Sequence, residues 1–106
     1  MTSRKNLELF LTEMIKGYPK EAYKYCSATW RHKHPLSELI ALFPKDIKDY
    51  ETMEERYTNN VIKDITVKIN GNIVVARMLR ESGPYVTSEK GNWGLNPISI
   101  AGYHSK

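Results

Sequence analysis

The chain reads as an α+β protein, and three observations predict it. Helix-period patterning is confined to the first 43 residues, a turn-punctuated run of alternating residues follows, and the two patterns never interleave. Helices and strands segregated in this way pack as helices on one side of a curved antiparallel sheet. The expectation is three N-terminal helices on three to four strands, forming a single domain over residues 1–106.

Each element has its own signal. Ser3 can cap a first helix whose apolar residues Leu7, Phe10, Leu11, Met14 and Ile15 follow i, i+3, i+4, i+7, i+8 spacing, and Gly17 supplies its stop. Pro19 suits the first position of a second helix, where its missing N–H costs nothing. That helix is expected to run to about Trp30, with Ala22, Cys26 and Trp30 in line. Pro35 opens a short third helix bearing Leu36, Leu39, Ile40 and Phe43, with Pro44 beyond it.

Residues 46–57 are polar, with Ile47, Tyr50, Met53 and Tyr57 at near-helical spacing, and pattern alone does not separate strand from helix there. Val61, Ile65, Val67 and Ile69 then alternate with polar residues up to Asn70-Gly71. Asn-Gly accepts the positive φ angles of a type I′ turn, so the run beyond it, Ile73 to Leu79, is the second arm of a hairpin. Ser82-Gly83-Pro84 is expected to end that arm. A loop through Glu89-Lys90-Gly91-Asn92 then precedes a last strand from Trp93 to Tyr103, with Pro97 marking an edge or bulge.

These periodicities place Leu7, Phe10, Leu11, Met14, Trp30, Leu39, Ile40, Phe43, Ile65, Val67 and Val75 in one core. The second hairpin arm is apolar on both faces. With Ile73, Val75 and Leu79 turned to the helices, Val74, Ala76 and Met78 form an outer patch. Arg77 and Arg80 would rim this patch, and Ile98 and Ile100 of the last strand would join it. One helical layer covers one face only, so the patch predicts a homodimer or a protein partner.

Composition narrows the classes further. Hydrophobic content of 41% and charged content of 26% are ordinary for a globular domain. No run approaches the roughly 18 apolar residues of a membrane span, and the N-terminus lacks a signal-peptide pattern. With one cysteine, Cys26, no internal disulfide forms. The expectation is a cytoplasmic protein, or a fragment whose anchor lies elsewhere. The net charge of +4 is mild. The basic run Arg31-His32-Lys33-His34 and the later Lys63, Lys68, Arg77, Arg80 and Lys90 are interspersed with acids, which argues against a nucleic-acid stripe.

Candidate chemistry is sparse. His32 and His34 form H-x-H on a connection between helices without a third ligand in reach, so an exposed loop is expected rather than a metal site. His104 reads as a tail residue. Asp64, if turned into the interior, could act as a general base, but alternation sets it opposite Ile65 and Val67. Asp49 and Tyr50 lie on the ambiguous segment. Cys26, with Ala22 and Trp30 at i±4, reads as a buried structural thiol. Tyr23, Trp30, Asp64 and Trp93 are the candidates for lining a pocket, which would take a small hydrophobic ligand. Gly91 and Gly94 flank Asn92-Trp93 as a turn, with no phosphate-loop spacing. No catalytic residue, metal or cofactor is expected.

Three segments carry a family resemblance. "NLELFLTEMIKGYPKEAYKYCSATWR" and "LSELIALF" resemble the helical opening of the nuclear transport factor 2 superfamily, and "VIKDITVKINGNIVVARMLRE" with "NWGLNPISI" resembles its long hairpin and Trp-bearing last strand. The resemblance covers most of the chain and implies a cystatin-like cone of helices within a curved sheet. The family's enzymes carry acidic, tyrosyl or histidine residues inside that cone, and no such motif matches here. The functional expectation is therefore a non-enzymatic interaction or assembly module. A small-molecule-binding protein or enzyme with its site in the cone is the alternative, and a nucleic-acid-binding accessory protein the weaker one.

Overall fold

The computed structural model describes residues 2–81 and 92–105. Helix α1 (Ser3–Ile15) starts one residue earlier than the Ser3 cap predicts, because the Thr2 hydroxyl accepts from the Lys5 N–H at 3.1 Å. Ser3 becomes the first helical residue and is buried. Leu7, Phe10 and Leu11 are fully buried, with Met14 packed at their margin.

The long second helix does not form. The chain instead makes two short helices, α2 (Pro19–Tyr23) and α3 (Ala28–Lys33). Between them Cys26 forms a parallel bridge to Leu95. The Leu95 N–H donates to the Tyr25 carbonyl at 3.0 Å, and the Ser27 N–H donates to the Leu95 carbonyl at 2.7 Å. Sheet pairing thus takes backbone groups that a continuous helix would use. Ser27 restarts the helix, accepting from the Trp30 N–H, while the Glu81 carboxylate accepts from the Ser27 hydroxyl and from the Ala28 N–H. A carboxylate at that position also suits the positive end of α3. Helix α4 (Leu36–Leu42) buries Leu39, with Phe43 just beyond it. Ile40, expected in the core, is 47% exposed: α4 turns Leu39 inward, with Leu36 and Leu42 at the margin of the core.

The ambiguous segment is strand. β1 (Tyr50–Asn59), β2 (Ile62–Ile69), β3 (Asn72–Glu81) and β4 (Asn92–Asn96) form an antiparallel sheet in chain order. Asn70 (φ 52°) and Gly71 (φ 83°) make the turn with the backbone sign that type I′ demands. β1 carries a bulge between Thr52 and Glu55: Thr52 faces Val67 and Glu55 faces Ile65, so one extra residue is accommodated.

The hairpin reverses one assignment. Val67 faces Val74, Ile65 faces Ala76 and Lys63 faces Met78. Val74, Ala76 and Met78 therefore share the buried face of Ile65, Val67 and Ile69, and they belong to the core rather than to an outer patch. Ile73 and Val75 point outward, 48% and 49% exposed. Arg77 lies on that outer face, paired in register with Asp64.

The last strand is shorter than predicted. β4 ends at Asn96, and Pro97, which offers no N–H to a ladder, opens a 3-10 helix (Pro97–Ser105). Ile100 and Tyr103 of that helix are fully buried, so Ile100 also leaves the proposed interface. The Tyr103 ring stacks on Phe43 with centroids 5.5 Å apart, and its hydroxyl donates to the Lys45 carbonyl. His104 follows in the same helix, half-buried, and is not a loose tail. Gly94 is needed where the chain crosses: a Cβ there would lie 2.6 Å from the Ser27 Cα. The expected strand end at Ser82-Gly83-Pro84, and Glu89, Lys90 and Gly91 of the expected loop, fall outside the described residues.

Candidate functional site

Of the residues singled out as a pocket, Tyr23 and Trp30 are brought together, whereas Trp93 and Asp64 lie elsewhere. Tyr23 and Trp30 meet edge to face, with centroids 6.3 Å apart. The Tyr23 hydroxyl donates to the Arg31 and His34 carbonyls, which fastens α2 to α3 and its end. Trp93 packs elsewhere, its ring 6.1 Å from that of Tyr57, with the Lys63 ammonium over both rings at 5.6 and 4.5 Å. Asp64 lies on the outer face, where its carboxylate accepts from Arg77 at 3.0 and 3.2 Å and from the Thr58 hydroxyl at 3.1 Å. The Arg77 hydrogen bonds hold the Asp64 carboxyl below its ordinary value against the opposing effect of partial burial. It is an anchored, ionised partner of Arg77, so the interior general-base role has no geometric support.

The histidines also separate. His32 is exposed on α3, and His34, just past its end, stacks on Trp30 with centroids 4.6 Å apart. The His34 Nδ1 meets a Glu38 carboxylate oxygen at 2.5 Å. Among the described residues, no three His, Cys, Asp or Glu side chains gather as a metal-holding group. Cys26 is buried, and desolvation, outweighing Arg31 nearby, pushes its thiol up to about 12. A thiol in that state is not a nucleophile near neutrality.

Several cations are engaged within the fold. Arg4 of α1 reaches β1, donating to the Thr52 hydroxyl at 2.7 Å, the Met53 carbonyl at 2.5 Å and the Glu55 carboxylate at 3.2 Å. Lys63 meets the other Glu55 oxygen at 3.4 Å. Burial raises the Glu55 value, but Arg4 and Lys63 together bring it below the ordinary range. Arg31 donates to the Cys26 carbonyl. These contacts occupy groups that a phosphate-binding stripe would need. No helix among the described residues is long and apolar enough to cross a membrane.

Among the outward-facing features of the described residues, two carry exposed apolar side chains beside charged ones. The first is the outer surface of the sheet, where Val75 lies opposite Thr66 and Ile73 opposite Lys68, with the Asp64–Arg77 ion pair beside them. The second is a groove of about 250 Å³ walled by Trp30, His34, Glu38, Ala41, Leu42 and Ile98. Ile98, foreseen on the sheet surface, is 56% exposed and lines this groove instead. The groove was not legible in the sequence, because it depends on the unforeseen turn at Pro97. Arg80, also exposed, stands opposite Trp93, on the opposite side of β3 from Arg77.

Comparison with protein-family models, curated proteins and solved structures finds no match to this chain.

Proposed function

We propose that this chain is a non-enzymatic interaction module that docks a protein, a second copy included, through the outer face of its sheet. The observation that carries this reading is the pair Ile73 and Val75, about half exposed on a face that the helices leave open. The charged residues beside them, Asp64, Arg77 and Lys68, would set the orientation of a partner more than its affinity. Burying two β-branched side chains of this size supports a weak, reversible contact.

Light scattering between roughly 10 and 500 μM, the range in which weak contacts populate, is the test. The native chain should gain mass with concentration, and Val75→Glu should blunt that gain while melting unchanged. A folded Val75→Glu chain that associates as the native one does removes this face from the function.

The groove at Trp30 and Ile98 supports a second reading, binding of a small apolar ligand. Ligand-induced change in Trp30 fluorescence, lost in Ile98→Glu, is its test, and an unchanged signal across a panel of small apolar compounds counts against it.

A further inference from the structure

The two edges of the sheet are finished differently. The β4 edge is sealed by Tyr25 and Ser27, which take the Leu95 N–H and carbonyl. At the other edge, β1 follows an alternation that can be worked out from β2. The Arg80 N–H donates to the Val61 carbonyl and the Asn70 N–H to the Asp49 carbonyl. Odd positions of β2 therefore bond to β3 and even positions to β1. Glu51 and Arg56, opposite Lys68 and Asp64, spend their backbone groups on β2. Tyr50, Thr52, Glu55 and Tyr57 aim theirs away from the sheet.

The bulge gives this edge a twofold-compatible pattern. In a regular strand, residues 51 and 56 would lie on opposite faces. The extra residue puts both on the outer face, opposite Lys68 and Asp64, and puts Thr52 with Glu55 and Tyr50 with Tyr57 on the inner one. Bulges and charges ordinarily guard an edge against pairing. Here Arg4 holds the bulge from within, through Thr52, Met53 and Glu55, and fixes its shape.

We infer that two copies of this chain pair antiparallel through β1, about a twofold axis at the bulge. Thr52 then stands opposite Glu55 of the second copy and Tyr50 opposite its Tyr57, so every outward-aimed backbone group in the pairing meets another. Glu51 stands opposite Arg56 of the second copy, on the same face, and the contact occurs twice. Such non-hydrogen-bonded pairs bring side chains closest. A slip of two residues sets Glu51 against Glu54 or Thr58 instead, so charge and hydrogen bonding select one register. The product is a continuous sheet of twice four strands. This contact is separate from the Ile73 and Val75 patch on β3: Val75→Glu leaves it intact.

Sedimentation equilibrium on the Val75→Glu chain, in which association through the Ile73 and Val75 patch is blocked, should show a monomer–dimer equilibrium. Glu51→Arg and Arg56→Glu each set like charges opposite twice, and each should weaken dimerisation roughly tenfold. The double reversal should restore it. A chain carrying both Glu51→Cys and Arg56→Cys should form a disulfide-linked dimer on oxidation, with buried Cys26 a bystander. A Val75→Glu chain that stays monomeric up to roughly 500 μM overturns the inference, a concentration at which millimolar contacts begin to populate. So do single reversals without effect, or a double reversal that fails to restore pairing.

Discussion

On β3, Val74, Ala76 and Met78 alternate with Ile73, Val75 and Leu79. The first set is buried, whereas Ile73 and Val75 of the second stand about half exposed. The two sets are close in hydrophobicity, so composition does not separate them. What separates them is register: the Asn70-Gly71 turn sets Val74 opposite Val67 and Ala76 opposite Ile65. A face is inherited across a tight hairpin from its partner strand, whatever the side chains of the second arm look like alone.

The sharpest way to break this comparison is a charge on each face. Met78→Glu places a carboxylate among fully buried side chains and should leave the chain unfolded or molten by near-UV circular dichroism. A Met78→Glu chain with a native melting profile would mean the inner face is misassigned. Leu11→Ala, across the same core on α1, should cost about 2–5 kcal/mol in chemical denaturation.

The outer face should respond to pH more than to volume. The Arg77 hydrogen bonds depress the folded-state value of Asp64 below its unfolded one, so the pair's contribution is full above about pH 4 and fades as pH falls through the depressed value. Asp64→Asn should therefore lower the denaturant midpoint near neutrality and leave it unchanged in strong acid. An equal loss at both extremes would point to packing rather than charge. Val75→Glu should have the smallest effect on stability, within about 0.5 kcal/mol, since its site is half in water.

Legibility in the sequence followed the same division. The α1 stripe and the Asn70-Gly71 hairpin could be read because their signals are local: a period, a cap, a turn dipeptide. The register of β3 was equally implicit, because a two-residue turn after Ile69 already pairs Val67 with Val74. Reading β3 as an isolated strand lost it. Residues 19–33 and 97–105 resisted for another reason. A helix-forming stretch gives way where Leu95 claims its backbone, and Pro97 converts an expected strand into a 3-10 helix that buries Ile100 and Tyr103. Both are decided by distant contacts. Of the candidate site residues, Arg77, expected at the rim of a patch of Val74, Ala76 and Met78, lies on the opposite face in an ion pair with Asp64, and Trp93 packs on Tyr57, away from the contact between Tyr23 and Trp30.

The bridge from Cys26 to Leu95 also bears on how the chain reaches this structure. The meander from β1 to β3 joins neighbours across short turns and can assemble early, as locally paired strands do. Sealing the β4 edge requires positions 26 and 95 to meet, which closes a loop spanning most of the sequence. The entropic cost of such closure grows only as the logarithm of loop length, but it is met before the contact gives anything back. Helices and meander thus depend on one another for a finished edge, and a chain cut between α4 and β1 should regain its fold only when both pieces are present.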